Sequence, residues 1–111
     1  MSDFLGLGVV EIDAPQDRHA LMIRVISPEG KAGVVRFAND DGTPIKVEFS
    51  AVSIRIVYDD TYATLGEFEA LNAIEDGYEI VGDFGIIWVN CKKYSYAPTH
   101  AYLSEALKTS N

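Results

Sequence analysis

The sequence predicts an α+β fold: a curved, mainly antiparallel sheet of about five to six strands, with a partial barrel as its open question, and two helices. Three observations lead there. Short apolar runs alternate with period two. The turn signals between them leave too little chain for crossover helices. One later segment instead repeats its apolar residues at threes. The predicted order is ββββ-α-ββ-α within a single domain spanning residues 1–111.

The first strand runs from about Leu5 to Ile12, with Gly6 and Gly8 marking a bend or an edge. Ala14-Pro15-Gln16-Asp17 is a turn. From His19 to Ser27, Leu21, Ile23 and Val25 alternate on one face. Pro28-Glu29-Gly30-Lys31 then turns the chain into a strand over Ala32 to Ala38, making a hairpin. Asn39-Asp40-Asp41-Gly42 signals another tight turn, with Asp-Gly as a hairpin dipeptide.

Pro44 to Tyr58 forms a long extended run. Its apolar phase is set by Ile45, Val47 and Phe49, then slips by one to Val52, Ile54, Ile56 and Tyr58. A period-2 strand cannot slip without turning its core face outward, so a bulge or bend near Ser50-Ala51 is expected. A strand bent in this way lets a sheet curl toward a partial barrel.

A helix is expected over Leu65 to Asp76. Leu65, Phe68, Leu71 and Ile74 form its apolar side, Thr64 with Glu67 a capping box, and Gly77 its C-terminal cap. That helix would place Glu69 and Asp76 on one face near Asn72 and end on Glu75 and Asp76, against its dipole. Tyr78 to Val81 and Phe84 to Asn90 form a second hairpin, with Ile86, Trp88 and Asn90 on one face and Gly85, Ile87 and Val89 on the other. The strand is open to extension to Tyr94 or Tyr96. Pro98 opens a short terminal helix with Leu103, Ala106 and Leu107 as its stripe.

Composition narrows the function. A hydrophobic content of 48% supports a real core. No apolar run reaches the length of a membrane helix, and the N-terminal residues lack a secretory pattern. Cys91 is the single cysteine, so no intramolecular disulfide and no multi-cysteine zinc site is expected, and cytoplasm is the plain reading. The formal net charge of −8 disfavours direct nucleic-acid binding and anionic membrane surfaces.

The distribution of that charge is uneven. From Ile56 to Asn90 there is no Lys, Arg or His, while Asp59, Asp60, Glu67, Glu69, Glu75, Asp76, Glu79 and Asp83 all fall there. Acids and bases balance over the rest of the chain. An acidic surface of this kind serves solubility, or it recognises a basic partner.

Reaction motifs are weak. His19 and His100 are isolated, no serine stands in a G-x-S-x-G elbow, and neither phosphate-loop pattern occurs. Lys92-Lys93 beside Cys91 would lower a thiol pKa, although a packed, inert cysteine is the simpler reading. Asn39-Asp40-Asp41-Gly42-Thr43 resembles only half a calcium loop, and nothing in the spacing requires Asp59-Asp60 to hold a cation with Glu75 or Asp76. No enzyme, cofactor or metal site is expected.

Three functions remain. The first is a small acidic module that occludes a basic protein, such as a nuclease or a nucleic-acid-binding protein, in the manner of immunity, antitoxin-like or phage anti-defence proteins. Its partner-binding residues are Asp59, Asp60, Glu67, Glu69, Asn72, Glu75, Asp76, Glu79 and Asp83, with Tyr94 and Tyr96 as aromatic anchors. The second is a structural or accessory subunit of an oligomer, including a homo-oligomer. The third is a ligand-binding protein or enzyme with a carboxylate-lined pocket.

Overall fold

The computed structural model describes residues 4–13, 19–39, 41–50, 57–58 and 63–102. Ten strands cover most of them: β1 (Gly8–Asp13), β2 (Ala20–Ile26), β3 (Lys31–Ala38), β4 (Lys46–Phe49), β5 (Val57–Tyr58), β6 (Ala63–Thr64), β7 (Phe68–Ile74), β8 (Gly77–Gly82), β9 (Gly85–Asn90) and β10 (Lys93–Tyr102). They form two four-stranded antiparallel sheets, ordered β1-β2-β3-β10 and β4-β9-β8-β7, and a separate β5-β6 pair.

The expected α+β class is therefore overturned: the described residues contain no helix. Residues 65–76 are mostly strand β7, which pairs with β8 from Phe68↔Gly82 to Ile74↔Gly77. The threefold apolar spacing has a β explanation. A bulge between Phe68 and Ala70 adds one residue, so Phe68 and Leu71 both pack on the core although they are three apart. Ile74, which a helix would bury, is 43% exposed. The capping box does not form either. The Glu67 amide donates to Asp83 Oδ2 at 3.0 Å, and the Thr64 hydroxyl accepts from Gly66 instead. Gly77 is not a helix cap. It approaches β9 so closely that a β-carbon would overlap the Val89 carbonyl. Pairing with the β-branched and aromatic residues of β8 outweighs the helical propensity of Leu, Glu and Ala in β7.

The second helix is corrected in part. Pro98 lies within β10, paired with Gly33. β10 is the last strand of its sheet, where a proline's missing N–H removes no central ladder bond. Leu103, Ala106 and Leu107 lie outside the described residues. So does the Ala51 half of the expected bend and most of the extended run beyond it. The Asp41-Gly42 turn is present but closes no hairpin, because β3 and β4 belong to different sheets. Likewise, the second hairpin's last strand ends at Asn90, and the chain crosses through Cys91-Lys92 into the other sheet as β10.

The other strands follow their alternation. Leu21, Ile23 and Val25 of β2 and Val35 and Phe37 of β3 face Ile80, Ile87 and Val89 of the second sheet in one buried cluster. Phe4, Phe68 and Phe84 fill the space between them. At one side the sheets are stitched together by backbone bonds, Gly6 to Phe68 at 2.8 Å and Leu65 to Val9 at 2.7 Å among them. At the corner where the chain changes sheets, Asn39 acts as a clasp. Its amide nitrogen donates to the Thr43 hydroxyl at 2.9 Å and its carbonyl accepts the Lys92 amide at 2.8 Å. No helix among the described residues is long and apolar enough to cross a membrane.

Candidate functional site

The β7-β8-β9 region carries the described part of the acidic segment. Asp59 and Asp60 lie outside the described residues. The other six acids fall into three places. Glu67, Glu69 and Asp83 cluster toward the β8-β9 turn, where Asp83 caps the Glu67 amide. Glu75 and Asp76 form the tip of the β7-β8 hairpin at the opposite end. Glu79 stands between them on β8. Glu69 and Asp76 therefore share no helical face. One lies in the bulge and the other in a turn. All but Glu79 are exposed, and none of the six has a Lys or Arg partner among the described residues.

Tyr94 and Tyr96 are placed differently. They pair with Phe37 and Val35, whose side chains are buried, so both rings turn toward the core side of β10. Tyr94 packs edge-on against Tyr78 with ring centroids 5.1 Å apart and contacts Phe4 and Phe37. Tyr96 lies 5.5 Å from Phe4 and covers Gly33. The tyrosines thus sit on a strand of the first sheet and the acids in the β7-β8-β9 region of the second, with Tyr94 37% exposed and packed on Tyr78.

Sequence reading missed one arrangement. Adjacent strands pair Glu48 with Trp88, Trp88 with Glu79, and Glu79 with Asn72, making a single row across the outer face of the second sheet. Trp88 Nε1 donates to Glu79 Oε2 at 3.0 Å, and Asn72 Nδ2 donates to Glu79 Oε1 at 3.2 Å. The carboxylate is therefore fixed in place rather than free to rotate. Beside this row, Lys46, Glu48, Ile74, Asp76, Trp88 and Asn90 line an open groove of about 330 Å³. A larger open depression of about 480 Å³ lies around the hairpin tip and is lined by Glu75, Asp76, Tyr78, Asn39, Cys91 and Lys92. The signal in the sequence was Trp88 alternating out of phase with the buried Ile87 and Val89. What it would face depended on strand register.

The other candidate chemistries resolve locally. Asp41 Oδ1 accepts the Thr43 hydroxyl at 2.7 Å and the Thr43 amide at 3.0 Å, which holds its carboxyl below the usual carboxylate range. Those bonds close a turn rather than a calcium loop, and no group of three potential metal ligands occurs among the described residues. His19 Nδ1 lies 3.0 Å from the Gly42 carbonyl. Cys91 is buried, and its thiol donates to the Lys93 carbonyl at 3.4 Å. Burial pushes that thiol's pKa up, which agrees with the packed cysteine rather than with activation by the neighbouring lysines.

These features define an antiparallel two-sheet β protein with an acidic outer hairpin. No family model, curated protein or solved structure matches the chain.

Proposed function

We propose that this protein is a small binding module that inhibits or neutralises a basic partner protein by covering its cationic surface. The reading rests on one observation: six acids of the β7-β8-β9 region have no cationic partner among the described residues. Uncompensated carboxylates on one region repel one another and raise the local negative potential, and a partner rich in Lys and Arg relieves both effects. A nuclease or nucleic-acid-binding protein is the matching class, since carboxylates then stand where phosphates would lie. Glu69 and Glu79 lie on paired strands, and the other four acids flank those strands or their turns, so the hairpins hold the charges near one another and lower the ordering cost of association.

The direct experiment is capture from the native cell at low salt, followed by purification of the captured protein and a salt titration of binding. A basic partner whose function is blocked, with affinity falling as salt rises, is the expected result. A partner without a basic surface, bound independently of salt, sinks the proposal.

A second reading, as a subunit of an oligomer, is favoured by Phe49 and Ile74, which are 50% and 43% exposed on β4 and β7. Those are the two outer strands of the second sheet. Light scattering at micromolar concentration checks it: a stable multimer supports the reading, and a clean monomer removes it.

A further inference from the structure

We infer that the groove beside Trp88 and Glu79 receives an arginine side chain of the basic partner. The inference rests on the proposed function and adds a place and a chemistry to it. The general acidity of the hairpin would attract any polycation. The groove is more selective because it joins Trp88 to the lining carboxylates of Glu48 and Asp76, with the fixed carboxylate of Glu79 bonded to the tryptophan on its neighbouring strand.

Trp88 is pinned at its indole edge by the bond to Glu79. That bond restrains the orientation of the ring, and Trp88 lines the groove. A cation over an indole face is attracted by the ring quadrupole, and a guanidinium also stacks on it flat. Glu79 keeps acceptor capacity after its bonds to Trp88 and Asn72, because an ionised carboxylate offers about four lone-pair sites. Asp76 supplies a further negative charge at the groove wall. Lys46, the one cation lining the groove among the described residues, is paired with Glu48 at 3.3 Å. The groove therefore has an excess of negative charge around an aromatic surface, with Ile74 as an apolar wall for an aliphatic stem. Lysine satisfies the charge but not the planar stacking, which singles out arginine.

The chain contains one tryptophan, so its indole N–H gives a single assignable resonance. The probes are hexa-arginine, hexa-lysine and uncharged hexa-citrulline peptides at low salt. Hexa-arginine is expected to shift the indole resonance saturably, hexa-lysine to bind more weakly, and hexa-citrulline not to bind. Trp88→Leu and Glu79→Gln should each weaken hexa-arginine binding by about three- to thirtyfold. Glu79→Gln retains a carbonyl acceptor for the indole, so it tests the charge even if Trp88→Leu disturbs folding. Binding of hexa-arginine with an unmoved indole and no effect of Glu79→Gln overturns the groove while leaving the acidic-module reading in place. If hexa-arginine does not bind the parent at all, both fall.

Discussion

Trp88 and Glu79 are bound across neighbouring strands, with indole Nε1 3.0 Å from Glu79 Oε2. They come from different strands of the second hairpin and meet only because β8 and β9 pair in this register. The bond joins the stability of the outer sheet face to the position of a negative charge. Glu79→Ala leaves a part-buried indole N–H without its acceptor and should lower stability by about 1 kcal/mol. Glu79→Gln keeps an acceptor and should lower it by less. Urea denaturation followed by the single tryptophan measures both.

Strand β7 makes a prediction that separates it from a helix. Phe68 is fully buried, so Phe68→Ala should cost about 3–5 kcal/mol. Ile74 is exposed on the outer face, so Ile74→Thr should change stability by no more than about 0.5 kcal/mol. A helix over residues 65–76 would make both changes costly. Equilibrium unfolding of the two variants distinguishes these cases.

Gly77 sits against the Val89 backbone, where any side chain displaces β8 from β9. Gly77→Ala should destabilise the domain by about 1–3 kcal/mol, measured by the midpoint of urea unfolding. A neutral effect would show that the hairpin tip can shift to make room.

The Cys91 thiol is buried and its pKa is raised. In the folded protein it should react with Ellman's reagent far more slowly than in urea at neutral pH. The folded state favours the neutral thiol, so this contribution to stability is present below the unfolded pKa and is lost as pH rises through that value toward the folded one. Replacing Cys91 with Ala should remove that alkaline loss, read from unfolding midpoints between neutral and alkaline pH.

Asp41 behaves in the opposite direction. Its bonds from Thr43 depress the carboxyl pKa, so its contribution is present above the unfolded pKa and is lost as pH falls through the folded one. Asp41→Asn should therefore be less stable than the parent at neutral pH and converge with it in acid. A difference that persists unchanged in acid would assign the effect to geometry rather than charge.

Much of the first sheet was legible in the sequence. Leu21, Ile23 and Val25 alternate cleanly, and Pro28 to Lys31 turns β2 into β3 as its residues suggest. The faces of β9 were also legible, because Ile87 and Val89 stand opposite Trp88. Residues 65–76 were not. A bulge gives Phe68 and Leu71 a spacing that mimics a helical face, and local propensity agrees with the mimic. Only tertiary pairing with β8 decides otherwise. For the candidate site, the acidic composition of the segment was visible, but its arrangement was not. A helix would have gathered Glu69 and Asp76, whereas the hairpin sends them to opposite ends. The row Glu48-Trp88-Glu79-Asn72 depends on register across four strands, which no local pattern encodes.

The central claim is that the acidic hairpin region, rather than the protein's overall charge, attracts a basic partner. It is tested most directly by comparing two triple variants with equal net charge. One is Glu69→Gln, Glu75→Gln and Asp76→Asn. The other is Glu11→Gln, Asp13→Asn and Glu29→Gln, outside the segment. Calorimetric titration with hexa-arginine at low salt should show at least about a tenfold loss of affinity for the first variant and little change for the second. Equal losses in the two variants would contradict the claim and leave only non-specific attraction to net charge.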